Sequence, residues 1–194
     1  PDGEWVAYYN GPRELRLVKP DGSGDRLFAK GDFGGRFGWG YSWAPNSQYI
    51  AFVEQVRGQR DIYIKALEGG DKFAVTNTAY DETNPIWHED GKSLLFASNR
   101  SGHSFPEFTG QYDLYQVHFE PKEPDFKETD FEELFKKKDS GKDKDKGDKK
   151  KEKKDEKIAI TFRLDNLDRQ TEPVVRTLGQ DRSFVMMPKD KEAV

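Results

Sequence analysis

The 194-residue chain contains no cysteine, which excludes disulfides and thiolate-ligated metal centres and fits a reducing or an oxidising compartment equally. It has no run of about 18 apolar residues, the length a helix needs to span a bilayer. Its first residues, "PDGEWVAYYN", lack the basic and then apolar stretches of a signal peptide, so no membrane contact is expected and the compartment is left open. It holds only 3 histidines, with no HExxH and no complete calcium loop, so no metal and no cofactor is expected. Positive charge is scarce outside one segment. "KKKDSGKDKDKGDKKKEKKDEK" at 136–157 carries 12 lysines against 7 carboxylates, and setting it aside leaves 20 basic against 29 acidic side chains, about −9 in place of −4. Phosphate contacts need a basic face, so no nucleic-acid partner is expected.

What the chain does have is a repeat. "PDGEWVAYYN" (1–10), "PNSQYIAFVE" (45–54) and "EDGKSLLFAS" (89–98) each join a turn to a short apolar strand, 44 residues apart. Asp or Asn caps the turn and Gly accepts its positive φ. The strands "WVAYY", "YIAFVE" and "SLLFAS" read as buried on both faces. A second strand follows each, "ELRLV" (14–18), "DIYIK" (61–65) and "DLYQV" (113–117), opening on an acidic residue and alternating polar with apolar. "RLFAK" or "FAVTN" after the Gly-rich turns "DGSGD" and "EGGD", and then "YSWAP" or "PIWHE", complete four strands per unit. Four short antiparallel strands every 40 to 50 residues are the pattern of β-propeller blades. The expected fold is all-β: propeller blades of four antiparallel strands, about three blade-equivalents of an incomplete propeller, with a charged low-complexity insertion. Trp43 and Trp87 are placed at matching depth, as core packing between blades.

The stretch "VTNTAYDETNPIWHEDGKSLLFASNRSG" (75–102), followed by "YDLYQV", resembles the propeller repeat shared by TolB and the tricorn proteases. The matching positions are Thr76, Pro85, Trp87, Asp90, Gly91, Lys92, Ser98, Arg100, Leu114 and Tyr115, with Trp43, Pro45, Ile62 and Tyr63 in the middle copy. A charged insertion followed by a strand with Ile160, Phe162, Leu164, Leu167 and Arg169 is similar to what tricorn-like serine proteases carry between blades, and TolB does not. The resemblance implies a non-catalytic propeller segment, scaffold and filter for peptides cleaved elsewhere in a parent chain. The remaining blades and peptidase domains of that parent would be its partners, and the parent a homo-oligomer, cytoplasmic before periplasmic. The alternative is a TolB-like protein-binding module without hydrolysis.

The chain divides into propeller blades over 1–135, the lysine-rich insertion at 136–157, and a continuation over 158–194 that supplies the last strand of blade three and the start of the next. The insertion, with its interleaved signs, reads as a solvated spacer and not as a tether for an anionic partner. A short helix is expected near Thr129 or Asp130. Because "PKDKEAV" at the end resembles "PDGEWVA" at the start, the piece is expected to belong to a larger protein, with Trp5, Tyr8, Phe184 and Met186 at open ends.

No catalytic residue is assigned. His88, His103 and His118 recur every 15 residues, but equal spacing in a chain that turns every few residues does not converge the rings. Ser104 adjoins His103 outside any G-x-S-x-G elbow, and neighbours in a strand point apart. "GDFGGRFGWGY" (31–41) has one arginine, Arg36, and reads as a connection between blades with aromatic plugs. "SGHSFPEFTGQY" (101–112) is longer than a hairpin needs and should project from one rim, which makes Phe105, Phe108 and Tyr112 the candidate ligand-facing residues.

Overall fold

On β5 (Tyr49–Val56) five consecutive residues, 50 to 54, are buried, and the period-2 geometry of a strand explains why. Ile50 and Phe52 enter one hydrophobic core while Ala51 and Val53 enter another on the opposite face. The sheet that contains β5 is therefore packed on both sides. β2 (Glu14–Val18) shows the simpler alternation, with Leu15 and Leu17 buried between half-exposed Glu14, Arg16 and Val18.

The computed structural model describes residues 1–34, 40–104, 107–120 and 158–175, with the side chains of 101–111 and Val175 outside that description. Within these residues the strands form three antiparallel sheets. The first is β1 (Val6–Asn10), β2 and β3 (Arg26–Lys30), in that order. The second is β4 (Tyr41–Trp43), β5, β6 (Gln59–Ala66) and β7 (Gly69–Ala74), and the third is β8 (Glu82–Trp87), β9 (Ser93–Ser104), β10 (Glu107–His118) and β11 (Thr171–Val175). These are three blade-equivalents of an incomplete propeller, each a meander in sequence order.

A core lies between each neighbouring pair. Leu15, Leu17, Phe28 and Phe33 meet Ile50 and Phe52 between the first two sheets. Ala51, Val53, Ile62 and Ile64 meet Trp87, Leu94, Phe96, Tyr115, Val117 and Phe119 between the second and third. Each such large side chain contributes about 1.5–3 kcal/mol by leaving water. Trp87 is buried in the latter core, and Trp43 packs half-buried against the former. Phe33 of the 31–41 connection is fully buried between Tyr9 and Phe52, its amide donating to the Pro12 carbonyl.

Several boundaries differ from the sequence expectation. "FAVTN" does not run to Asn77: β7 stops at Ala74, because the amides of Val75 and Thr76 turn away to the Ile62 carbonyl. β8 begins at Glu82, three residues before "PIWHE". "SGHSFPEFTGQY" is no separate loop: β9 and β10 continue through most of it as paired strands of 12 residues each, so the blade carries a β-arm. "WVAYY" is not buried on both faces, Val6 being 47% exposed. The Ile160–Phe162 stretch is not a ladder strand. Residues 158–164 run without strand pairing, a 3-10 turn (Leu167–Gln170) follows, and the last strand of the third sheet is β11, against β10. The lysine-rich run, the expected helix near Thr129, Phe184 and Met186 lie outside the described residues.

The two ends of the sheets carry different chemistry. The turns that open the repeats, at 45–48 and 89–92, lie at one end, here the lower rim, where residues 158–162 pack against them. The β5–β6 turn, the 75–81 connection and the start of β8 lie at the other, the upper rim.

Candidate functional site

The upper rim gathers charge where the second sheet meets the third. β6 carries Arg60 and Asp61 just after its first residue, the connection supplies Thr76, Thr78 and Asp81, β8 opens with Glu82, β9 contributes Ser98, Asn99 and Arg100, and β10 contributes Tyr112. Asp61 accepts hydrogen bonds from the Thr76 hydroxyl (3.2 Å) and the Thr78 amide (3.3 Å), while the Thr76 hydroxyl accepts from the Ile62 amide (2.8 Å). The acidic residue near the start of this strand thus clasps the chain as it leaves for the next blade.

Arg60 spans the junction. Its Nη2 donates to Asp81 Oδ2 (2.6 Å) and to the Tyr112 hydroxyl (2.7 Å), and its amide donates to Asp81 Oδ1 (3.1 Å). Asn99 closes a reciprocal pair with Asp81, side-chain oxygen to amide at 2.9 Å and amide to carbonyl at 3.3 Å. Glu82 is 0% exposed. Its Oε1 accepts from the Thr78 hydroxyl (2.8 Å), the Ser98 hydroxyl (3.2 Å) and Arg100 Nη2 (3.0 Å), whereas Oε2 finds no partner among the described residues. The Arg100 guanidinium lies over the Tyr115 ring, 4.9 Å from its centre.

Burial pushes the Glu82 carboxyl up to about 7, against the pull of Thr78 and Arg100, and the unpartnered oxygen adds to the strain on the ionised form. Burial also raises Asp61. For Asp81 burial opposes ionisation too, but the bonds and charge of Arg60 outweigh it and hold the carboxyl below its ordinary value. A carboxyl near neutrality in a cleft would suggest a general acid. Glu82 cannot act as one, because no surface of it reaches solvent or a substrate. The chemistry available here is a lock: Arg60 ties the second sheet to Asp81 and to Tyr112 of the third, while Glu82 and Arg100 tie β8 to β9 at the base of the arm.

The structure sinks Tyr112, 2% exposed, into this lock at the root of the arm. Phe105 lies outside the described residues, and Phe108 is described only as backbone of β10. Tyr112→Phe is expected to destabilise the chain by about 1.5–3 kcal/mol, the range of one hydrogen bond to a charged group. Hydrogen exchange should quicken in the arm beyond Gln111 before it does in β5; unchanged exchange in the arm would mean that Tyr112 does not anchor it.

The histidines do not converge. His88 Nδ1 lies 2.8 Å from Asp90 Oδ1 and His118 Nε2 lies 2.9 Å from Glu172 Oε1, both near Ser93, while His103 belongs to the arm at the far end of β9. Among the described residues no three His, Asp or Glu side chains group as metal ligands. Arg36 lies outside the described residues, as do the side chains of His103 and Ser104. The sequence reading missed Arg60, Asp81 and Glu82. Their signal was present as charged residues at the two strand starts, positions that a strand buried on both faces does not fill with charge unless it is paired.

No protein-family model matches the chain. Among curated proteins, the uncharacterized peptidase YuxL of Bacillus subtilis (strain 168) is 33% identical over 54 residues, 27% of this chain and 8% of that protein. Among solved structures, TolB from Acinetobacter baumannii aligns at 21% identity over 59% of this chain and 27% of its own, with a TM-score of 0.41. The tricorn protease aligns at 15% identity over 92% of this chain, with a TM-score of 0.59. This chain spans 16% of the tricorn chain and 8% of YuxL, so each match lies within a much larger polypeptide. At that identity the likeness is one of fold, and it agrees with the meander sheets and the repeat: the three sheets are β-propeller blades.

Proposed function

We propose that these blades are the non-catalytic propeller segment of a larger tricorn-like serine peptidase, serving as scaffold and as filter for peptides cleaved elsewhere in the parent. The observation that carries this reading is the fold match to the tricorn protease across 92% of the chain. The peptidase name of the relative that shares 54 residues supports it. The interior chemistry agrees as well, since among the described residues the carboxyl poised near neutrality is walled off and the histidine rings lie against carboxylates. In this reading the β9–β10 arm is the filtering element, with Phe105 and Phe108 meeting peptide and Tyr112 holding the arm at its root.

The test compares the full-length parent with its Phe105→Ser/Phe108→Ser variant on fluorogenic peptides of graded length. KM should rise several-fold more for long peptides than for short ones, and the isolated 194-residue chain should show no turnover. Turnover by the isolated chain that a serine-directed reagent abolishes would overturn the reading. Peptide binding by a parent that hydrolyses nothing would replace it with a TolB-like binding module.

A further inference from the structure

Residues 158–163, "IAITFR", behave less like a blade element than like a bound peptide. Among the described residues they pair with no strand, and their side chains alternate: 158, 160 and 162 turn inward while 159, 161 and 163 are exposed. Phe162 sits at the centre of an aromatic box, 5.1 Å from Tyr49, 5.0 Å from Phe73, 5.0 Å from Phe119 and 6.2 Å from Trp87. Those rings come from both the second and the third sheet, so the box is the lower-rim mouth of the junction. Ile160 and Ile158 lie so close over Gly91 that a β-carbon there would stand 2.8 Å and 3.1 Å from them. Three polar bonds hold the backbone: Asn46 Nδ2 donates to the Ile158 carbonyl (3.3 Å), the Arg163 amide to the Phe119 carbonyl (2.9 Å) and Gln170 Nε2 to the Arg163 carbonyl (3.5 Å). The Trp87 indole N–H, in the wall of the box, is buried without an acceptor among the described residues.

We propose that this lower-rim groove is a docking site for an extended peptide of another chain with an aliphatic, x, aliphatic, x, aromatic pattern, and that residues 158–162 are its built-in occupant. Ile158 and Ile160 both lie over Gly91 and Phe162 enters the aromatic box, so the groove takes alternate side chains, two aliphatic over the glycine and the last aromatic. The groove fills itself because an occupant on the same chain outcompetes a free peptide. A trans peptide therefore enters only when the segment is displaced. The inference is independent of the peptidase reading and uses no hydrolysis readout.

The experiment is fluorescence anisotropy with a fluorescein-labelled synthetic peptide, KIAITFRLD, titrated with the full chain and with its Phe162→Ala variant. The variant should bind at least about ten-fold more tightly than the unaltered chain, and a peptide with Ala for Phe should not bind. A folded variant that fails to bind at about 1 mM, or that binds both peptides alike, overturns the proposal. If Phe162→Ala does not fold, hydrogen exchange on the unaltered chain decides. The Arg163 amide should exchange at least about 100-fold faster than those of Ile62 and Phe96, and protection equal to theirs would make the segment a fixed part of the core.

Discussion

Arg100→Ala is expected to cost about 3 kcal/mol at pH 8 and distinctly less at pH 5, because it strands a buried carboxylate that has no other cation among the described residues. Glu82 is fully buried, and among the described residues Arg100 supplies the one positive charge paired with it, at 3.0 Å. In the folded chain the Glu82 carboxyl lies at about 7 against an ordinary value of 4.5. The folded state therefore holds this proton more tightly than the unfolded state does. Its contribution to stability falls as pH rises from 4.5 towards 7, with the full penalty present above that window. Removing Arg100 raises the carboxyl further and extends the window upward, so the variant loses most at alkaline pH. Urea melts at both pH values measure the difference, and Glu82→Gln on the Arg100→Ala background should recover most of the loss at pH 8. A loss independent of pH would show that Arg100 acts by stacking on Tyr115 and Phe96 instead.

The second large effect is at the repeat turns, where two equivalent glycines differ in their neighbours. Gly3 (φ 78°) and Gly91 (φ 72°) adopt the same left-handed backbone, so Gly→Ala at either costs about 1 kcal/mol from conformation alone. A β-carbon at Gly3 would meet nothing within 4 Å, whereas one at Gly91 would strike Ile160 at 2.8 Å. Gly91→Ala should therefore cost about 2–3 kcal/mol against about 1 kcal/mol for Gly3→Ala. The excess cannot exceed the free energy that seats residues 158–163, since releasing them removes the clash. The pair of variants thus measures how firmly the groove is occupied. Equal losses at the two glycines would mean that the segment moves aside freely.

The blades were legible because their signal is local and repeated. Turn residues at positions 2–3, 46–47 and 90–91 and the alternation of Leu15 and Leu17 or Ile62 and Ile64 are set by strand geometry, which a sequence displays directly. The polar lock was not legible, because Glu82 and Arg100 are 18 residues apart and become a pair only when β8 lies beside β9. Thr76 and Arg100 were marked as repeat positions without a reason, and the structure gives one: the Thr76 hydroxyl clasps Asp61, and Arg100 pairs with Glu82. The segment around Phe162 was misread for the opposite cause. Its alternation is that of a strand, but the alternating side chains seat in a groove between two sheets and no partner strand accompanies them. The arm at 101–112 was expected as a projection and is built as a continuation of β9 and β10, since nothing in "SGHSFPEFTGQY" forbids strand pairing over most of its length.

The measurement that bears most directly on the role of these blades is labelling of the full-length parent with a fluorophosphonate, followed by peptide mapping of the modified serine. If the segment is the scaffold and filter of a serine peptidase, the label falls on a serine outside these 194 residues and abolishes peptide turnover. A label on a serine within them, such as Ser104, would contradict it, as would a parent that neither takes the label nor cleaves peptides.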